Sequence, residues 1–263
     1  MNIIHPTAII EEGAILKEGV KVGPFCIVGS AVTIGENTEL QSHVVIKGRT
    51  VIGKNNIIYP FASLGQVPQD LKYDGEDTSL TIGDDNTIRE SVTMSIGTAG
   101  GGGQTIVGNG NLFMALCHVG HDAIIGDHNV FANSATLAGH VEIGNHSVLG
   151  GLSAVHQFTR IGDYVMVGGM TAVDRDVIHF GVVTGTRGVL AGLNLRGLKR
   201  QGFDKLRIAK IRDYYSQIFE ETEGTLDERI TRLIRENADC DDLINWHIFI
   251  SNSARGMSMP RPS

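Results

Sequence analysis

His118-Val119-Gly120-His121-Asp122-Ala123-Ile124-Ile125-Gly126-Asp127-His128-Asn129-Val130-Phe131 places apolar residues at 119, 125 and 131, six apart. Followed backward, the step reaches Phe113 and Val107; followed forward, it takes Leu137, Ile143, Leu149, Val155, Ile161, Val167 and Val173. Upstream of the glycine-rich stretch Gly97–Gly103 the frame lies one residue earlier, at Ile82, Ile88 and Met94. Before the breaks at Asp70 and Glu76 it runs unbroken from Ile4 to Leu64, through Ile10, Leu16, Val22, Val28, Ile34, Leu40, Ile46, Ile52 and Ile58. That makes 26 apolar positions in runs of eleven, three and twelve. Since apolar residues are about half of any chain, composition alone does not produce such runs.

The residue two before each aliphatic is mostly small or β-branched, as at Ala8, Ala14, Val20, Cys26, Val32, Thr38, Val44, Thr50, Asn56 and Ala62. Two inward residues around one outward residue are strand alternation. Glycine often follows the aliphatic, as at Gly23, Gly29, Gly35, Gly53, Gly126, Gly144, Gly162 and Gly168, where it suits a sharp bend. A strand and a corner in six residues close a triangular coil after three units, and residues 18 apart then stack at a spacing of about 4.8 Å. A β-sandwich has no reason to hold this period from residue 4 to residue 173. The pattern predicts a parallel β-helix but not its hand, and parallel crossovers are normally right-handed.

The coil is expected over 1–186, with excursions near 65–79 and 97–104, and a helical domain over 187–263. Phe203–Phe219 has mostly helical spacing of its apolar residues, Thr225-Leu226-Asp227-Glu228 has the form of a capping box, and Leu243–Ile250 suits a further helix. The tail from Gly256 to Pro260-Arg261-Pro262-Ser263 reads as loose.

A net charge of −7 offers no basic excess, which disfavours nucleic acid as a partner. Cys26, Cys117 and Cys240 are scattered and odd in number, so neither a disulfide framework nor a zinc knuckle is expected, and a reducing compartment is. Met1–Ile10 lacks Lys and Arg and contains Pro6, unlike a signal peptide, and no apolar run approaches the roughly 20 residues of a membrane span. The expectation is a cytoplasmic protein. Its 34 glycines and 6% aromatics fit tight corners around a narrow aliphatic core.

Six of the ten histidines lie between 118 and 156, all off the inward positions. The step of 18 puts His121, Gly139 and Gln157 in one column, Asp122 beneath His140 in the next, and His128 with His146 in another. An imidazole, a glycine N–H and an amide on one strip supply a general base and an oxyanion donor, which acyl transfer needs. The plainer alternative is a soluble surface decorated with histidines. Strand alternation sends neighbours to opposite sides, which argues against a contact between His121 and Asp122.

His5-Pro6-Thr7-Ala8, Gly23-Pro24-Phe25-Cys26, Gln69-Asp70-Leu71-Lys72-Tyr73, Ile88-Arg89-Glu90-Ser91-Val92-Thr93, His118-Val119-Gly120-His121-Asp122, Ala138-Gly139-His140, Ala154-Val155-His156-Gln157-Phe158 and Gly197-Leu198-Lys199-Arg200 follow one another in this order. In this set the chain resembles the UDP-N-acetylglucosamine O-acyltransferases along nearly its whole length. The resemblance implies a left-handed coil and a homotrimer with sites between subunits. It also implies transfer of a 3-hydroxyacyl chain from acyl carrier protein to the 3-hydroxyl of UDP-N-acetylglucosamine, the first step of lipid A synthesis, with no metal or redox cofactor. By it, His121 is the base and Gly139 the oxyanion donor, while Asp122 orients the imidazole. Asp70 and Lys72 hold the sugar and its phosphates. Gln69, His118, His140, His156 and Gln157 line the groove, Asn194 and Arg200 meet the nucleotide or the carrier arm, and Gly169 leaves room for a longer acyl chain.

The chain departs from the family pattern at Ser95, where a histidine is usual, at Arg196 in place of an acid, and at Gln201 in place of a second arginine. Arg196, Lys199, Arg200, Lys205, Arg207, Lys210 and Arg212 face one acid, Asp204, over 196–212, a net +6 suited to an acidic carrier protein. Gly100–Gly103 lacks the Gly-Lys-Ser/Thr of a phosphate loop and reads as a flexible excursion. A γ-type zinc carbonic anhydrase also fits a histidine-rich coil, but its pair of histidines separated by four residues does not occur here. A non-catalytic or ice-binding coil would repeat one residue type down a face, and these outward positions are mixed. A 3-amino UDP-sugar remains an alternative acceptor.

Overall fold

The computed structural model describes residues 1–261, so Pro262 and Ser263 of the expected loose tail lie outside the described residues. Short strands stack into three sheets of eleven, nine and eight strands, visited in turn as the chain winds. The register joins Ile3 to Lys21 on the first face, His118 to Thr136 on the second and Ile124 to Glu142 on the third, each pair 18 apart. Two departures mark the excursions: Ile58 pairs with Ile88, and Ile88 with Phe113. The first adds twelve residues, two whole hexads, and keeps the frame; the second adds seven and shifts it by one. Both leave the second face and re-enter on the third, between Ser63–Gln66 and Ser79–Ile82 and between Thr93–Ser95 and Gln104–Val107.

The coil is left-handed, opposite to the usual crossover. Its corners use an unexpected device. Among the described residues, eighteen that are not glycine have φ between 55° and 67°, including Phe25, His43, Asp122, His128, His140, His146 and Tyr164. This region disfavours L-residues by roughly 1–2 kcal/mol each. At the aromatic corners, stacking from rung to rung helps offset that cost: His128 lies 5.0 Å from His146, His146 4.9 Å from Tyr164, and His140 4.3 Å from Phe158, all nearly parallel. The glycines that follow the aliphatics do not supply these bends. A Cβ on Gly23 would stand 2.6 Å from the Gln41 carbonyl oxygen, and one on Gly126 2.7 Å from that of Gly144. Close approach between rungs is therefore their reason.

The interior is mostly apolar, with Phe113 stacked on Phe131 at 4.5 Å, and along one corner Asn56, Asn86, Asn111 and Asn129 are buried in a ladder. Oδ1 of each accepts the next rung's N–H, from Asn86 at 2.9 Å to Ser147 at 2.8 Å. Each Nδ2 donates to a glycine carbonyl, from Gly83 at 2.9 Å to Gly144 at 2.8 Å. Every amide is thus satisfied in both senses, and polar burial carries no desolvation penalty of an unpaired group.

Beyond the hairpin Gly181–Thr184 and Val189–Leu193 come α1 (Leu195–Arg200), α2 (Lys205–Tyr215), a π-turn (Ser216–Glu220), α3 (Leu226–Glu236) and α4 (Asp241–Ser251). Periodicity had not marked α1. The capping box at Thr225 and Glu228 forms with both hydrogen bonds. Leu198, Ile211, Ile218, Leu233 and Trp246 build a second core. The tail is not loose up to Met259: Met257 is buried in that core, Ser258 N–H donates to the Asp176 carbonyl at 2.8 Å, and Leu190 N–H donates to that of Met259 at 3.1 Å.

Candidate active site

The corner between the second and third faces gathers both excursions and the column of His121 and Gly139. Asp122 takes the left-handed bend at φ 57°, so strand alternation does not apply to it. Its carboxylate swings back to its neighbour, and Oδ2 accepts from His121 Nδ1 at 2.7 Å. A carboxylate there selects the tautomer with its proton on Nδ1 and leaves the Nε2 lone pair free. The expectation that alternation separates the two residues therefore fails at a corner. Oδ1 of Asp122 accepts from the Thr98 N–H at 2.8 Å and Oδ2 from the Thr98 hydroxyl at 2.6 Å, which compensates the burial of the carboxylate.

Gly139 sits one rung away, buried against the imidazole. A Cβ there would come within 2.6 Å of His121 Cε1 and Nε2, so any side chain would push the ring off its place. The Gly139 N–H donates to no acceptor among the described residues. His140 meets His121 edge-on with centroids 5.0 Å apart. Burial pushes the His140 imidazole below its ordinary value, while the charges of Asp122 and Asp70 oppose that shift. His118 stands outward on the second face with Nδ1 2.7 Å from the Thr93 hydroxyl; burial, then His121, lower its value too. Both rings are thus biased towards neutral imidazole.

Asp70 caps a turn of the first excursion by accepting the Lys72 N–H at 3.0 Å, and Gln69 and Lys72 are exposed beside it. His156 and Gln157 are exposed on the rung after Gly139 and His140. A groove of about 490 Å³ follows this edge past Gly100, Gly101, Asp122, His140, Phe158 and Arg160. A larger cleft of about 720 Å³ between α2 and the α3–α4 link includes Tyr214 and Cys240, but no histidine lines it.

Three expected residues stand elsewhere in the chain. Gly169 is exposed on the corner between the first and second faces. Asn194 caps α1 by accepting the Gly197 N–H at 3.0 Å, and its amide donates to the Tyr164 carbonyl at 2.9 Å. Arg200 is exposed at the end of α1. Thr98, which no sequence motif singles out, contacts both oxygens of Asp122, and the glycines around it were the only cue in the sequence.

A family model described as Udp N-acetylglucosamine O-acyltransferase, domain 2, matches residues 176–258, and one described as bacterial transferase hexapeptide (six repeats) matches 13–48 and 104–139. The acyl-[acyl-carrier-protein]–UDP-N-acetylglucosamine O-acyltransferase of Rickettsia canadensis is 64% identical over 230 residues, 88% of this chain and 87% of that protein. The protein of the same description from Rhizobium johnstonii is 48% identical over 258 residues, 98% of this chain and 94% of the relative. Among solved structures, the UDP-N-acetylglucosamine O-acyltransferase of Moraxella catarrhalis superposes with a TM-score of 0.94 at 44% identity, covering 97% of this chain and 99% of that one. With a hexapeptide coil, a helical end and relatives this similar over nearly their full lengths, the chain belongs to the UDP-N-acetylglucosamine O-acyltransferase family.

Proposed function

We propose that this acyltransferase moves a 3-hydroxyacyl chain from acyl carrier protein to the 3-hydroxyl of UDP-N-acetylglucosamine, the first step of lipid A synthesis. The observation that carries the mechanism is the 2.7 Å pairing of His121 Nδ1 with Asp122, which leaves Nε2 as the base. Nε2 takes the proton of the sugar hydroxyl as its oxygen attacks the thioester carbonyl carbon. The tetrahedral oxyanion accepts a hydrogen bond from the Gly139 N–H. Its collapse breaks the carbon–sulfur bond, and the departing carrier thiolate takes the proton back from the imidazolium.

Asp70 and Lys72, on the excursion above the same corner, hold the sugar and its phosphates, with Gln69, His118, His140, His156 and Gln157 along the groove. Gly169 and His121 occupy different edges of one coil, so a groove using both edges needs a second copy alongside; this supports a homotrimer with sites between subunits. The exposed Lys199, Arg200, Lys205 and Lys210 give an acidic carrier protein a complementary surface, while Arg207 is already paired with Asp242 at 2.7 and 2.8 Å. We place the reaction in the cytoplasm; no helix among the described residues is long and apolar enough to cross a membrane.

The test is transfer from a panel of 3-hydroxyacyl carrier proteins to UDP-N-acetylglucosamine, with and without a strong chelator. Chelator-insensitive transfer is expected, and the panel reads out the preferred chain length. Transfer only to the 3-amino sugar would replace the acceptor. Loss of transfer with chelator would return attention to His121, Asp122 and His140 as metal ligands, since their donor atoms lie within 4.8 Å of one another.

A further inference from the structure

The glycine-rich excursion that reads as flexible in sequence is instead tied down at both ends. The Thr78 hydroxyl donates to the Gly97 carbonyl at 2.6 Å, Gly97 N–H to that of Ser79 at 3.1 Å, and Ser79 N–H to that of Gly103 at 2.9 Å. Inside the loop, Gly101 and Gly103 N–H groups both donate to the Thr98 carbonyl, at 3.0 and 2.9 Å. The loop thereby presents the backbone N–H and the hydroxyl of buried Thr98 to the two oxygens of Asp122. Asp122 N–H in turn donates to the Thr105 hydroxyl at 2.8 Å, so backbone and carboxylate are both anchored.

The glycines make this approach possible. A Cβ on Gly101 would lie 2.5 Å from Asp122 Oδ1, and one on Gly97 2.8 Å from the same atom. Rotation of the carboxylate would break the two Thr98 bonds and the His121 bond together. Fixing the acceptor of Nδ1–H fixes both the tautomer and the direction of Nε2, and an error of about 1 Å in such a placement can cost about 100-fold in rate.

We propose that Gly97–Gly103 is a rigid cradle for Asp122 and that Thr98 is a positioning residue, acting on His121 through the Asp122 carboxylate. This rests on His121 being the base. The loop's far anchor, Thr78, closes the first excursion, so the segment carrying Asp70 and Lys72 and the proton-transfer pair share one braced corner.

The experiment compares full-length wild type, Thr98→Val, Thr98→Ser and His121→Ala. It reads kcat, KM, melting temperature and the nitrogen-15 imidazole signals, with His121 assigned by its loss in His121→Ala. Thr98→Val removes the hydroxyl and keeps the N–H bond. It should lower kcat by about 10- to 100-fold with KM within about 3-fold, and reduce the share of the Nδ1–H tautomer at His121. Thr98→Ser should restore both. Where Thr98→Val melts early, Gly101→Ala probes the same cradle from its other wall and should give the same tautomer change. An unchanged His121 tautomer in folded Thr98→Val and Gly101→Ala overturns the cradle, whatever the rates. A changed tautomer with undiminished turnover keeps the cradle and removes His121 as the base.

Discussion

Two corners of this coil each carry two histidines, 18 residues apart at one (His128 and His146) and 19 at the other (His121 and His140), and the order of acid and histidine is reversed between them. At the third corner the sequence is Asp127-His128 and Asn145-His146. There the first residue bonds the adjacent rung: Asp127 accepts the Asn109 N–H at 2.6 Å, and Asn145 accepts that of Asp127 at 2.8 Å. The histidines take the left-handed bend and stack ring on ring. At the second corner the order is His121-Asp122, then Gly139-His140. Here the acid takes the bend, the histidine stands before it, and the next rung supplies no side chain to bond. One order yields a structural ladder, the other a histidine held through Nδ1 by its neighbouring carboxylate, the pair proposed as base and orienting acid.

The largest effect expected from this contrast is at His121. His121→Ala should lose about 100-fold or more in transfer, while His128→Ala and His146→Ala stay within about 3-fold of wild type. Comparable losses in all three would erase the distinction between the corners. Next comes the glycine beneath the ring: Gly139→Ala should cost about 10- to 100-fold in kcat by displacing the imidazole. Gly151→Ala, whose Cβ would meet nothing nearer than 3.4 Å, should leave kcat within about 2-fold, checked in the same assay. At the ladder the sign of the trade reverses. Asp127→Ala should lower unfolding free energy in urea by about 1 kcal/mol and leave turnover intact, because it removes the acceptor of Asn109.

The smallest effect is on pH dependence, where the corners should agree. Burial, as the first cause at each, lowers both His140 and His146 below 6.5. Unfolded chains then bind protons at a pH where these folded imidazoles do not, so stability falls as pH drops below about 6.5. His146→Phe keeps the stacked ring and removes one of these groups. Its melting temperature should therefore vary less between about pH 7 and 5 than that of wild type; an equal slope would mean that His146 takes no part.

Sequence pattern carried the rungs well, because a period of six leaves little freedom: the column of His121 and Gly139 followed from arithmetic alone. Corners were less legible. Phe25, His43 and Leu116 occupy a left-handed conformation that local sterics disfavour, and the packing of Phe25 on His43 joins residues 18 apart in sequence. The same bend hid the pairing of His121 with Asp122. Asn56 reads as another small inward residue, whereas its amide belongs to a ladder whose next rung, Asn86, lies 30 residues later. Thr98 escaped notice because an excursion follows no period. Gly169, Asn194 and Arg200 came from resemblance alone, and no spacing in the sequence ties them to His121.

The twelve and seven residues added by the excursions leave every later rung in register. A coil of this kind accepts inserted segments as a rail accepts fittings: the track continues, and only the attachment changes. Asp70, Lys72 and Thr98 all arrive on such fittings, whereas His121 and Gly139 belong to the track itself. If Asp70 and Lys72 hold the sugar as proposed, exchanging the loop between Gln66 and Ser79 should change the acceptor and leave the rungs untouched.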